Sequence, residues 1–208
     1  MKVAVLFYGR ISKFRETYDG FSRVFGETNP DIFYSCDNED EIYISEFKEL
    51  YRPIAVCNEK INYSVNFGVY PGLESQTNIH NMTCHFINKM RVFELMEKYV
   101  KESGTVYDLV LSTRLDIIYI SPIILSEPAN NCIYIPDGWD YSGLNDQIAY
   151  GNMAVMDIYM NIFINTELFL KKNKSKPHPE SLNNYNIIYN GIDVVRFPLK
   201  YYIIREVA

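Results

Sequence analysis

Several common signatures are missing from this 208-residue chain. It contains no GxGxxG, no GxxxxGK[ST] and no long Gly-rich basic segment. Backbone amides are therefore not arranged to close on a phosphate as in dinucleotide-binding turns, P-loops or sugar nucleotidyltransferases. Cys36, Cys57, Cys84 and Cys132 are irregularly spaced with no CxxC pair, a poor metal motif and a poor disulfide framework. Reduced, mostly buried thiols and a cytoplasmic location are the expectation. No apolar stretch approaches the length of a membrane span. The first apolar run, Val3 to Tyr8, is too short for a signal-peptide core. Positive charge is not in excess: the net charge of −6 argues against a nucleic-acid partner, although a few placed arginines suffice for a diphosphate. Asn62, Asn81 and Asn173 head Asn-x-Ser/Thr sequons, which matter only in a secreted chain. No Ser-His-Asp or Cys-His arrangement with supporting context occurs, so hydrolase chemistry has little support.

What remains is a folded globular composition, 48% hydrophobic and 22% charged, in a chain large enough for one domain with a real core. Aromatics reach 15%, with 18 tyrosines. Tyrosine brings buried area and a polar tip, suiting strand packing and sugar stacking alike, and packing must account for most of them. Neither a repeat nor a linker is visible, so residues 1–208 read as one domain. The abrupt stop after the last expected strand fits a domain cut from a longer protein.

The informative stretch is Tyr107 to Tyr119, YDLVLSTRLDIIY. Leu109-Val110-Leu111 has the continuous apolarity of a buried parallel strand. Arg114 and Asp116 follow, two positions apart, and point the same way if the chain stays extended. Earlier in the chain, Val3 to Tyr8 reads as a strand closed by Gly9. Ser12 is placed to cap a helix carrying Phe14, Tyr18, Phe21 and Phe25. Asp31 to Ser35 is a second strand. A short helix with Ile42, Phe47, Leu50 and Tyr51 leads to a third strand near Pro53 to Cys57. This β-α-β-α-β order is the first half of a doubly wound, mostly parallel sheet, whose ligand lies beyond the carboxyl ends where strand order reverses. Those ends bring Gly9-Arg10, Asp37, Arg114 and Asp116 together. A loop over 61–77 and a long helix over about 78–101 come next. That helix buries Met82, Phe86, Met90, Phe93 and Val100, and it displays Asn81, His85 and Asn88 or Lys89 at helical spacing. Cys132 to Ile135 is a strand, Pro136 to Gln147 a glycine-punctuated loop, and Met153 to Lys172 one helix. Residues 171–176 form a basic turn and Pro179 opens a short helix. Two closing strands, 191–197 and 199–205, complete the chain.

Chemistry can be assigned from these positions. A sugar nucleotide loses a diphosphate whose charge grows as the glycosidic bond breaks. A divalent cation on Asp116 and a guanidinium from Arg114 both answer that charge. An Arg–Asp pair that merely finishes a strand is the plain alternative. Arg10 is a phosphate donor or an exposed turn residue. Asp146 suits proton abstraction from an acceptor hydroxyl or binding of donor-sugar hydroxyls; otherwise Asn145 or Asp146 caps a helix. Asp140 is the alternative base, and Trp139 and Tyr141 either stack on a sugar or pack. Asn81 and His85 reach a nucleotide from their helix, or His85 is structural.

YDLVLSTRLD resembles the YDLVIxTRxD form found in small glycosyltransferases of the GT-A type, where arginine replaces the first aspartate of a DxD motif. GLNDQIAYGN resembles the segment that follows in that family. The likeness runs from VAVLFYGR to the HPE helix and is nearest to the capsid-glycan glycosyltransferase domain of chlorella viruses. It implies an α/β, GT-A (Rossmann-like) fold with a mixed, mostly parallel sheet flanked by helices. Residues 1–120 would bind the nucleotide sugar and 121–208 would serve the acceptor. It also implies a UDP-linked donor, a glycan or glycoprotein acceptor, and Mn²⁺ or Mg²⁺ on Asp116, with His178 as a further ligand. Gly9, Arg10, Asp37, Asn81, His85, Arg114, Asp116, Asn145 and Gln147 become donor contacts, and Asp146 or Asp140 the catalytic carboxylate. A viral origin would place the protein in the host cytoplasm. One carboxylate stands where the full motif has two. A sugar nucleotidyltransferase and a non-catalytic binding module on the same fold are the alternatives.

Overall fold

The structure, a computed structural model, describes residues 1–63, 79–141, 143–173 and 178–204. The expected loop over 61–77 and the basic turn over 171–176 fall largely outside the described residues, as does the end of the last expected strand.

Strand β1 (Val3–Tyr8) is buried along its whole length. It is flanked on one side by β2 (Asp31–Ser35) and β3 (Ala55–Cys57), and on the other by β4 (Leu109–Arg114), all parallel. The sheet continues through β7 (Ala149–Gly151), β6 (Cys132–Pro136) and β8 (Asp193–Phe197), giving the order β3-β2-β1-β4-β7-β6-β8. Strand β7 is antiparallel to both neighbours, whereas β6 and β8 are parallel. The sheet is therefore mixed and mostly parallel, as expected. A second, two-stranded sheet pairs β5 (Ile117–Tyr119) with β9 (Tyr201–Ile203).

The period of two in β1 sorts its side chains onto the two faces. Val3, Val5 and Phe7 join a core with helices α1 (Phe14–Phe25) and α2 (Glu41–Tyr51). Ala4, Leu6 and Tyr8 join a second core with α3 (Ile79–Ser103) and α4 (Met153–Met160). Phe7 meets Phe21, Phe47 and Tyr51 at ring-centroid distances of 5.2, 6.5 and 5.5 Å, so packing absorbs much of the aromatic excess. In β4, Val110 lies on the α3 face, and the same alternation carries Ser112 and Arg114 to that side. Since Tyr8 pairs in register with Arg114, two polar side chains end on the α3 face where β1 and β4 stop.

Four local expectations outside α3 needed correction, and in α3 itself Met90 and Val100 are not among the buried residues. Lys13, not Ser12, occupies the N-cap of α1, with no side-chain cap bond. Ile42 is exposed and Ile44 takes its place in the buried stripe of α2. The helix expected over 153–172 breaks at Asn161 into α4 and α5 (Ile162–Asn173), bent by 50°. Asn161 folds its side chain back onto Asp157 at 2.6 Å. The fourth concerns the thiols: all four cysteines are free, but only Cys36 is buried. Among the described residues no single helix is long and apolar enough to cross a membrane. Helix α6 (Pro179–Tyr189) starts at Pro179 as expected.

Candidate functional site

The carboxyl ends of β1, β2 and β4 open into a cleft of about 1160 Å³. The reversal of strand order between β1 and β4 leaves this space uncovered by any crossover, the usual ligand position in such sheets. Gly9 closes β1 with φ 97°, a left-handed turn that suits glycine and sends the chain away from the sheet. Its amide bonds Ser35 O at 3.0 Å and its carbonyl receives the Tyr34 hydroxyl at 2.8 Å.

Gly9, Arg10, Asp37, Asn81, His85, Arg114, Asp116, Asp146, Gln147 and His178 all line this cleft. Asp140 and Asn145 do not. Asn145 is wholly buried and serves as a joint: its side-chain amide donates to Gly138 O at 3.0 Å and to the Tyr201 hydroxyl at 2.7 Å. Asp140 accepts from the Asn145 amide and from Arg196 Nη1, both at 3.0 Å. Neither Asn145 nor Asp146 caps α4, whose N-cap is Asn152.

Arg114 and Asp116 do meet, but through a turn at 115–116 rather than along an extended strand. The guanidinium grips the carboxylate with both prongs, Nε to Oδ1 at 2.8 Å and Nη2 to Oδ2. Their side chains are 33% and 21% exposed. Such a pair contributes about 1 kcal/mol or less when screened by water, and a better buried one is often replaceable by apolar residues without loss. Stability alone therefore gives little reason for it. Asp37 Oδ1 is taken by the Ile61 amide at 2.6 Å.

The most charged part of the cleft is its floor. Asp146 is 5% exposed, and its Oδ2 lies 3.3 Å from His85 Nε2, close but poorly directed as a hydrogen bond. The Tyr8 hydroxyl donates to the Asp146 carbonyl at 2.8 Å, and the Tyr8 ring stands edge-on to His85 at 5.0 Å. Burial pushes the Asp146 carboxyl upward, but His85, Arg114 and Lys89 outweigh it and hold the group below the usual carboxylate range. Burial lowers His85, against the pull of Asp146. Asp146 is thus ionised and His85 mainly neutral near neutrality.

Two residues here, Lys89 and Glu180, have no role in the expectations from the sequence. Lys89 is fully buried, with Nζ 3.5 Å over the Tyr159 ring and 3.4 Å from Asn183 Oδ1. Burial drives its pKa down to about 7. Its position one helical turn after His85 was the available signal. Glu180 also lines the cleft, its carboxyl pushed up to about 8 by burial and by the Asp146 charge. No sequence pattern marks that residue, because its burial depends on how closely Gly143 approaches α6. A Cβ on Gly143 would overlap the Glu180 carbonyl, and the next amide, Leu144 N, bonds that carbonyl at 2.9 Å. Gly143→Ala should therefore lower stability by about 1–3 kcal/mol in urea unfolding; an unchanged midpoint would contradict this packing.

The residues present do not fit a divalent ion as they stand. Both oxygens of Asp116 are held by Arg114, and His178 Nδ1 faces Glu180 Oε2 at 2.6 Å. Among the described residues no group of three or more His, Cys, Asp or Glu side chains is placed to hold a metal.

No family model matches this sequence, and no curated protein matches it. Solved structures do. The galactosyltransferase LgtC, in complex with donor and acceptor sugar analogues, is 11% identical, with 93% of this chain and 73% of that one covered at a TM-score of 0.57. A candidate nucleotide-diphospho-sugar transferase from Desulfovibrio desulfuricans G20 is 12% identical over 95% and 80% of the two chains, TM-score 0.51. A glycosyltransferase involved in glycosylation of the major capsid of PBCV-1 is 10% identical over 95% and 82%, but its TM-score of 0.48 is too loose to bear on this chain. The likeness to the first two, with the sheet order above, establishes that this chain has the GT-A glycosyltransferase fold.

Proposed function

We propose that the chain is a glycosyltransferase. It takes a nucleoside-diphosphate sugar, UDP-linked, and passes the sugar to a hydroxyl of a glycan or glycoprotein acceptor. One observation carries the reading: the cleft at the strand-order reversal holds a buried, ionised carboxylate, Asp146, with the Arg114 guanidinium beside it. Arg10 and Arg114 face the diphosphate, Asp37 and Gly9 the nucleoside, and Asn81, His85 and Gln147 the rest of the donor. As the anomeric C–O bond breaks, its electron pair leaves with the diphosphate, whose growing charge Arg114 attracts. The acceptor oxygen forms the new glycosidic bond, and its proton passes to Asp146.

An Mn²⁺ or Mg²⁺ ion belongs to the reading only if Arg114 releases Asp116. Such an ion would lend the leaving diphosphate further charge stabilisation. Thermal melts with a nucleotide panel, with and without Mn²⁺, test both points. UDP in about hundredfold excess over its Kd should stabilise by about 2.7 kcal/mol, a rise in Tm of about 5 °C or more. No response to any nucleotide would reject the proposal. Slow hydrolysis of the donor then separates an enzyme from a non-catalytic binding module. Asp116→Asn should abolish whatever part of turnover Mn²⁺ stimulates while the protein stays folded; full Mn²⁺ stimulation in that variant would take the ion away from Asp116.

A further inference from the structure

The loop between β6 and β7 carries the only tryptophan of the chain. Trp139 and Tyr141 both have left-handed backbone, with φ 58° and 39°. That conformation is costly for side-chain-bearing residues and clusters at ligand sites. Both nevertheless hold large rings in solvent, 42% and 51% exposed. The residue between them explains how. Asp140 is tied to Arg196 and Asn145 through its carboxylate, and its carbonyl receives the Gly143 amide at 2.7 Å. Pinned at that point, the loop keeps the two flanking aromatics out of the core. Their centroids lie 6.0 Å apart, with Trp139 backed by Tyr201 and Tyr141 by His178, each at 6.4 Å.

Beside this shelf is an open polar edge. Tyr141, His178 and Glu180 line the same cleft. His178 Nδ1 and Glu180 Oε2 face each other at 2.6 Å at this edge, and the Glu180 side chain is only 8% exposed. The complementary ligand has a flat apolar face and hydroxyls on its edge. Arg196 beside this wall is already engaged by Asp140, which suits a neutral ligand better than a phosphate. The nucleotide end lies instead at Gly9 and Asp37.

We infer that Trp139 and Tyr141 form a stacking shelf for a neutral pyranose, with His178 and Glu180 receiving its hydroxyls. Naming that pyranose as part of the acceptor rests on the glycosyltransferase reading; the binding itself does not.

Trp139 is its own reporter, because all tryptophan emission comes from the shelf. The full chain is titrated to high millimolar concentration with the methyl α- and β-pyranosides of glucose, galactose and mannose, and its melting is followed with UDP in parallel. At least one pyranoside should shift the emission saturably. Tyr141→Ala and Tyr141→Leu should weaken that binding tenfold or more, and Tyr141→Phe, which keeps the ring, should retain most of it. Emission unmoved by every pyranoside, or equal binding by the Leu and parent proteins, overturns the shelf. A UDP response without a pyranoside response sinks the shelf alone. A pyranoside response without any nucleotide response keeps the shelf and sinks the transferase reading.

Discussion

Replacing Asp146 by asparagine is expected to lower release of UDP from the donor by about 10³-fold, within the range for loss of a general base. Asparagine keeps the size of the side chain and cannot accept a proton. Asp146 has no direct substitute, because Asp140 is spent on Arg196 and the Asn145 amide and Glu180 carries a proton at neutral pH. The fold should survive. His85 is already mainly uncharged and Lys89, near pH 7, can release its proton once its counter-charge is gone. The loss then costs about 1–3 kcal/mol, the scale of one unmatched buried polar group. Retention of turnover to within about tenfold, below the usual range for a general base, would remove Asp146 from the chemistry.

Lys89→Met is expected to move stability and activity in opposite directions. Lowering a lysine from 10.5 to about 7 corresponds to roughly 5 kcal/mol of destabilisation while the group is charged. The ring of Tyr159 returns about 2 kcal/mol, and the single bond to Asn183 is long. The sign follows from proton counts. Below pH 7 both folded and unfolded chains hold the proton and the full penalty stands. Between about 7 and 10.5 the unfolded chain binds more, so the Lys89 contribution to stability improves as pH rises. Methionine removes the charge at similar volume. The variant should melt at least about 4 °C above the parent at pH 6.5, with the gap closing near pH 10. Glu180 works the other way: with its folded pKa raised, stability falls as pH rises between 4.5 and about 8. Comparing variant with parent at each pH cancels that contribution. Turnover should fall in the same variant, because Asp146 loses one of the charges that keep it ionised. A variant that melts no higher than the parent at pH 6.5 would contradict the buried charge. A lysine retained at this cost beneath an ionised carboxylate is what a tuned site looks like.

The central sheet was legible because parallel strands covered on both faces must be apolar throughout, as VAVLFY and LVL are. The order of those strands then placed Arg10, Asp37, Arg114 and Asp116 at one end of it. Less legible was whatever depended on a distant partner. Strand β7 spans only Ala149 to Gly151 and takes its pairing from β4, nearly forty residues earlier, so no local pattern announces it. The break at Asn161 hides because apolar residues continue on both sides. Ile42 and Ile44 are alike in sequence, and only packing against β1 decides which is buried. Asp140 and Asp146 sit in one loop with similar neighbours, and long-range contacts to Arg196 and His85 divide their roles.

Strand β7 has one more consequence, for how the protein comes into being. It is the single join between the parallel block β3-β2-β1-β4 and the pair β6-β8, and it touches β6 at one registered pair, Tyr134 with Tyr150, whose rings stack at 4.6 Å. Asp146 and Gln147 lie just before it, separated only by Ile148. A nascent chain cannot close its sheet until β7 has been made, and the segment that leads into β7 is the one that carries Asp146 to His85. Sheet closure and site assembly are thus one event in the life of the chain. A chain stalled before that event would hold the parallel block β3-β2-β1-β4 with no Asp146 carboxylate at its open end.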